Sequence, residues 1–165
     1  MFVDQKKEGE AMAERSGKEK TVVFNRRASH DYFLEDRYEC GIQLTGTEIK
    51  SIRAGKVQFK DSYISIYKGE AWIKGMHISN YSYGNIFNVD EERDRKLLLH
   101  KEEIRKIYDN IRMKGYTVVP VRMYLKNGRA KLEIALAKGK NLYDKRQSDK
   151  IRDAKREMEK ALKFH

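Results

Sequence analysis

The tetrapeptide Lys126-Asn127-Gly128-Arg129 constrains this chain more than any other feature. A two-residue type I′ turn needs positive φ at both central positions, which Asn-Gly tolerates best, and its twist matches that of two antiparallel strands. The flanking runs, 117–125 and 130–137, are rich in aliphatic residues and are predicted to pair as one long hairpin. Pro120 has no N–H to donate, which confines it to an edge or a bulge of the first strand. A second hairpin is predicted where the alternating run 62–67 meets Ala71-Trp72-Ile73 through Lys68-Gly69. Residues 32–44 supply a third pairing strand, with Tyr32, Leu34, Tyr38, Ile42 and Leu44 interrupted by charge.

Two helices are predicted between the strands. One covers about 45–53, with Ile49 and Ile52 three apart and Gly55 as a stop. The other carries Ile104, Ile107, Tyr108 and Ile111 at i, i+3, i+4 and i+7, an apolar stripe that Gly115 ends. Short strands with inserted helices hide their edges by closing. The expected fold is therefore mainly β: an OB-like closed antiparallel barrel over 21–138, with two or three inserted or flanking helices and a flexible basic C-terminal tail.

Charge divides the chain the same way. Its 165 residues hold 36 Lys and Arg against 25 Asp and Glu, a net charge of +11. Residues 1–20 carry five of each sign and little apolar periodicity, so they are expected to be a disordered leader. Residues 21–138 carry 22 basic and 15 acidic side chains, and 139–165 carry nine and five. In that tail Ile151, Ala154, Met158, Ala161 and Leu162 form a sparse helical stripe after Ser148, a candidate N-cap. A basic helix of about 15 residues is marginal without a surface to pack on, so the tail is expected to be disordered in the free protein.

Several function classes fall away. No apolar stretch approaches the roughly 18 to 20 residues of a membrane span, and the first twenty residues hold no secretory apolar segment, which points to the cytoplasm. The single Cys40 makes neither an internal disulfide nor a structural zinc site. His30, His77, His100 and His165 fit no metal spacing, and there is no phosphate loop, dinucleotide fingerprint or nucleophile elbow. Asp90, Glu91, Glu92 and Asp94 alternate with Arg93 and Arg95, as in a solvated, self-neutralising loop rather than a metal site. No enzyme chemistry and no cofactor are expected. The basic and aromatic residues instead interleave, in Arg26, Arg27, His30, Tyr32 and Phe33 and again in Lys138, Lys140, Tyr143, Lys145 and Arg146. Cations neutralise phosphates and rings stack on unpaired bases, a pairing that suits RNA. Strand alternation turns only one of Tyr32 and Phe33 inward.

Five stretches in order resemble one bacterial family: 25–32 (Asn-Arg-Arg-Ala-Ser-His-Asp-Tyr), 46–56, 95–100 (Arg-Lys-Leu-Leu-Leu-His), 137–140 and 143–146. They are similar to the successive signatures of small protein B, the SsrA (tmRNA)-binding family, from about residue 22 to the C-terminus. The resemblance implies a non-enzymatic adaptor of trans-translation. It would bind the tRNA-like domain of tmRNA and, with alanyl charging and elongation factor Tu, accompany it to ribosomes stalled without a stop codon. The barrel would replace the missing anticodon arm. The tail would enter the empty mRNA channel beyond the small-subunit decoding centre and fold there into a helix.

Residue by residue, the resemblance places Glu39, Leu98 and His100 against the tRNA-like domain, with Arg26, Arg27, His30 and Tyr32 in the N-terminal signature and Lys138 and Lys140 beside them. An anion such as Glu39 facing RNA must accept from base amino groups or order a neighbouring cation; otherwise it is a surface carboxylate. Leu98 is either a contact or core, but three consecutive leucines cannot all face inward from a one-sided strand. Tyr143, Asp144, Lys145 and Arg146, then Ile151 and Met158, would meet the ribosome, with Tyr143 stacking and Asp144 orienting its basic neighbours. Asn141 replaces a more usual Lys and Cys40 a more usual Ala. The leader has no counterpart in these motifs, so Met1 and Met12 both remain as starts. Two other readings stay open: a generic OB-fold ribosome or tRNA binder, and a basic nuclease using His30 or His100.

Overall fold

The computed structural model describes residues 19–81, 88–140 and 142–163. In chain order these form β1 (Glu19–Phe24), α1 (Arg26–Asp31), β2 (Tyr32–Ile42), α2 (Gly46–Arg53), β3 (Val57–Gln58), β4 (Tyr63–Tyr67), β5 (Glu70–Lys74), β6 (His77–Ile78), β7 (Arg95–Leu98), α3 (Lys101–Lys114), β8 (Thr117–Lys126), β9 (Arg129–Gly139) and α4 (Leu142–Lys163). The main sheet has seven strands in the order β1-β8-β9-β2-β7-β5-β4, all neighbours antiparallel, and β3 pairs with β6 separately. The molecule is mainly β with several helices.

Both predicted turns form. Asn127 and Gly128 have φ of 53° and 78°, and Lys68 and Gly69 have 50° and 73°, the doubly positive geometry of type I′. Pro120 sits at a bulge, where the β8–β9 register slips between Pro120 and Arg122. Beside that bulge, Asn25 donates from its backbone N–H to Val121 O and from Nδ2 to Pro120 O, each at 2.8 Å. The Asn25 side chain also accepts from Ala28 N–H and so caps α1. Thr45 and Glu48 close a capping box at the start of α2, and Gly115 ends α3 in the left-handed conformation at φ 67°.

The inward faces of the strands and one side each of α2 and α3 bury Ile52, Ile73, Met76, Leu97, Ile107, Met123, Leu132 and Ile134 completely. Two charged residues join them. Arg95 on β7 is fully buried; its Nε donates to Glu48, and its Nη atoms donate to the carbonyls of Met76 and Glu91. Arg95 is thus no part of a solvated loop, because β7 alternation turns it inward and α2 supplies the counter-charge. The remaining acidic residues do stay outside, with Glu92 on Lys60 at 2.7 Å and Asp94 on Lys74 at 3.9 Å.

Two expectations need correction. Glu19 and Lys20, assigned to the leader on composition, begin β1 and pair with Lys126 and Leu125; the other leader residues lie outside the described ones. Helix α1 brings the inserted and flanking helices to three, within the expected two or three; its own position is not legible in the sequence because a six-residue helix leaves almost no periodicity to read. Ser148 lies inside α4 rather than capping it, since the helix starts at Leu142. The strand order runs from β1 to β4, with no hydrogen-bonded ladder between β4 and β8 among the described residues.

Candidate nucleic-acid interface

The outer face of the sheet is organised by register. Tyr124 opposes Lys131, Lys131 opposes Gly41, and Gly41 opposes Leu98, so these four form one cross-strand row. Arg122, Glu133 and Glu39 form the adjacent row. Alternation turns Cys40, Ile42 and Leu97 into the core and leaves Glu39 and Leu98 outside, Leu98 at 52 % exposure. Gly41 matters here: a Cβ would lie 3.3 Å from that of Leu98, so its absence makes room for the leucine to lie across β2. His100 follows on the same segment, exposed, and its backbone N–H donates to Glu103 at the start of α3.

Glu39 is not a free anion. Its carboxylate accepts from the Tyr124 hydroxyl and lies 3.5 Å from Lys126 Nζ. The Tyr124 hydrogen bond, with help from Lys126, holds the Glu39 carboxyl below its ordinary range, and burial with the same bond pushes the Tyr124 phenol up. The Glu39 carboxylate is thus engaged within the sheet, first by the Tyr124 hydroxyl and then by Lys126. Arg122 stacks over the Tyr124 ring at 4.1 Å and bridges to Glu133 at 2.8 Å and Glu19 at 3.1 Å. Cys40, behind this face, is an inert apolar filler whose thiol burial pushes up to about 12.

A second patch lies where β2 begins and β9 ends, seven residues from Glu39 along β2 and thus roughly 23 Å away. Tyr32 opposes Gly139 and Phe33 opposes Lys138. Tyr32 packs on Ala28, Val119 and Ala137, while Phe33 is the exposed ring, with Lys140 Nζ 5.2 Å from its centroid. Arg26 and Lys138 are exposed; Arg27, also exposed, bridges to Asp61 at 2.9 Å. His30 is held between Asp31 at 2.9 Å and Asp149 of α4 at 2.8 Å, which raises its pKa. Helix α4 continues from this patch with Arg146, Ile151 and Met158 exposed. Tyr143, Asp144 and Lys145 lie on its helical backbone, and their side chains lie outside the described residues.

The predicted residues therefore divide between two patches and a helix instead of meeting at one point. A family model described as SmpB protein matches residues 22–164, which takes in both patches and the helix. The chain belongs to the SmpB protein family. It is 57 % identical over 144 residues to the SsrA-binding protein of Acetivibrio thermocellus, covering 87 % of this chain and 94 % of that one. The SsrA-binding protein of Lysinibacillus sphaericus is 55 % identical over 152 residues, 92 % of this chain and 97 % of that one. A solved structure described as "tmRNA-SmpB: a journey to the center of the bacterial ribosome" superposes with a TM-score of 0.62 at 45 % identity, covering 73 % of this chain and 85 % of that one.

For this SmpB family member, sequence reasoning missed Arg122, Lys126 and Lys131, which share the outer face with Glu39 and Leu98. Register about the Asn127-Gly128 turn would have found them, since it sets Arg122 opposite Glu133, Tyr124 opposite Lys131 and Lys126 opposite Arg129 on the face away from Met123. Sequence reasoning also named Tyr32 and not Phe33 among the RNA contacts; of the two rings Phe33 is the more exposed.

Proposed function

We infer that this chain is a tmRNA-binding adaptor in trans-translation, whose partners are tmRNA and the ribosome. One observation carries the reading: the family match runs over residues 22–164, which include the sheet face where Leu98 lies exposed beside the Glu39 carboxylate held by Tyr124 and Lys126.

In this reading Glu39, Leu98 and His100, with Lys126 and Lys131, meet the tRNA-like domain of tmRNA, and Arg26, Arg27, His30, Lys138 and Lys140 extend that surface along the phosphate backbone. Residues 139–165 form a conditional element, loose in the free protein and helical in the empty mRNA channel. Tyr143 to Arg146 then lie near the decoding centre, and Ile151 and Met158 provide the buried stripe. Support comes from α4 itself: its described side chains at 150–159 are all exposed, and such a helix has little to stabilise it alone. The barrel is OB-like and closes between β4 and the first half of β8. Residues 63–66 and 117–118 flank a common groove, which supports that closure. The protein acts in the cytoplasm without chemistry of its own; among the described residues no helix is long and apolar enough to cross a membrane. Alanyl-tmRNA with elongation factor Tu arrives as its cargo.

The test is reconstituted translation on a message without a stop codon. Adding this chain with alanyl-tmRNA and elongation factor Tu is expected to append the tmRNA-encoded tag to the stalled peptide. No tag, with each RNA and factor active alongside an SmpB relative, overturns the reading.

A further inference from the structure

A cavity of about 210 Å³ lies between α1, the loop before β4 and the start of β8. That is the space of roughly seven waters at about 30 Å³ each, below the about 300 Å³ of a drug-sized ligand. Its wall contains Tyr32, Tyr63, Ser62, Asp31, Arg27 and Lys60. Ser62 is 5 % exposed and its hydroxyl is buried with no hydrogen-bond partner. Buried polar atoms are normally satisfied, so an orphan at a cavity wall marks a place where a ligand can accept or donate.

Charge decides what kind of ligand. Arg27 and Lys60 are matched by Asp31 and Asp61 on the same wall, and Arg27 bridges to Asp61 at 2.9 Å. A neutral lining does not select a free anion. Two tyrosines and a hydroxyl suit a flat, uncharged ligand with polar edges, which stacks on rings and hydrogen-bonds at its rim.

We propose that this cavity receives one nucleobase splayed out of an RNA strand, stacked at Tyr63 or Tyr32 and hydrogen-bonded by the Ser62 hydroxyl. The proposal rests on the RNA-binding function inferred above. The base can come from tmRNA or from small-subunit ribosomal RNA.

The test has two arms, one with tmRNA and one with purified small ribosomal subunits, each with the full chain. Ultraviolet crosslinking followed by peptide mass spectrometry is expected to give a nucleotide adduct on Tyr63 or Tyr32 in one arm. In that arm Tyr63→Ala is expected to weaken binding about tenfold or more, the scale of losing one base–aromatic stack, while Tyr63→Phe binds like wild type. The salt dependence of Tyr63→Ala should match wild type, because no phosphate contact is removed. Tyr63 is 46 % exposed, so its loss spares the core; Ser62→Ala, a smaller change, is expected to weaken binding severalfold in the same arm. Wild-type affinity for Tyr63→Ala and Ser62→Ala in both arms, with no adduct on either tyrosine, overturns the cavity proposal and leaves the function standing. A wild-type chain that binds neither RNA overturns both.

Discussion

Glu48 closes the capping box of α2, accepts from Arg93 and neutralises the buried Arg95. Removing one partner of a buried pair strands the other charge, so Glu48→Ala should lower the unfolding free energy by about 3–5 kcal/mol in urea titrations. Burial alone would push the Glu48 carboxyl up, but hydrogen bonds from Arg93, Thr45 and Arg95 outweigh it and hold it below its ordinary value. A depressed carboxyl contributes stability above its unfolded pKa of about 4.5 and loses it as pH falls through the lower folded value. The acid limb of a stability–pH curve should therefore be shallower in Glu48→Gln than in wild type; parallel limbs would contradict the pairing. Leu98→Ala should behave oppositely. Its exposure keeps the stability change within about 0.5 kcal/mol, while tmRNA affinity should fall about fivefold to thirtyfold. The exposed leucine was legible in the sequence, because three in a row cannot share one face. The Glu48–Arg95 pair was not: its members stand 47 residues apart, and nothing local marks a charged residue as buried.

Among elements, the two hairpins were readable because positive φ at both turn positions leaves few residue choices. Strand β1 escaped because its first two residues share the mixed charge of the leader, and it becomes a strand only through the β8 edge it pairs with. The extent of α4 escaped for a related reason: residues 142–147 carry no apolar periodicity of their own. Its described link to the body is the pair between His30 and Asp149, reinforced by Asp31. Hydrogen bonds donated by the His30 ring to Asp31 and then to Asp149 raise its pKa above 6.5. A raised histidine contributes its full stabilisation below the unfolded pKa and loses it as pH rises through the folded value. Amide exchange in the free chain should show weak protection across 148–162 at pH 6 and still less at pH 8. Strong protection at both would contradict a conditional tail.

At the scale of the molecule, the proposed function divides the net charge of +11 between two footprints. The sheet faces carry one and the tail the other, so they should separate experimentally. A chain truncated after Lys140 is expected to bind the tRNA-like domain within about threefold of full length and to fail in tagging; equal tagging would remove the tail from the mechanism. The most direct measurement is a competition titration of the full chain with the isolated tRNA-like domain of tmRNA against bulk tRNA, at two salt concentrations. The account predicts preference for the tRNA-like domain at both, with affinity falling steeply with salt as released counterions require. Equal affinity for the two RNAs would contradict it.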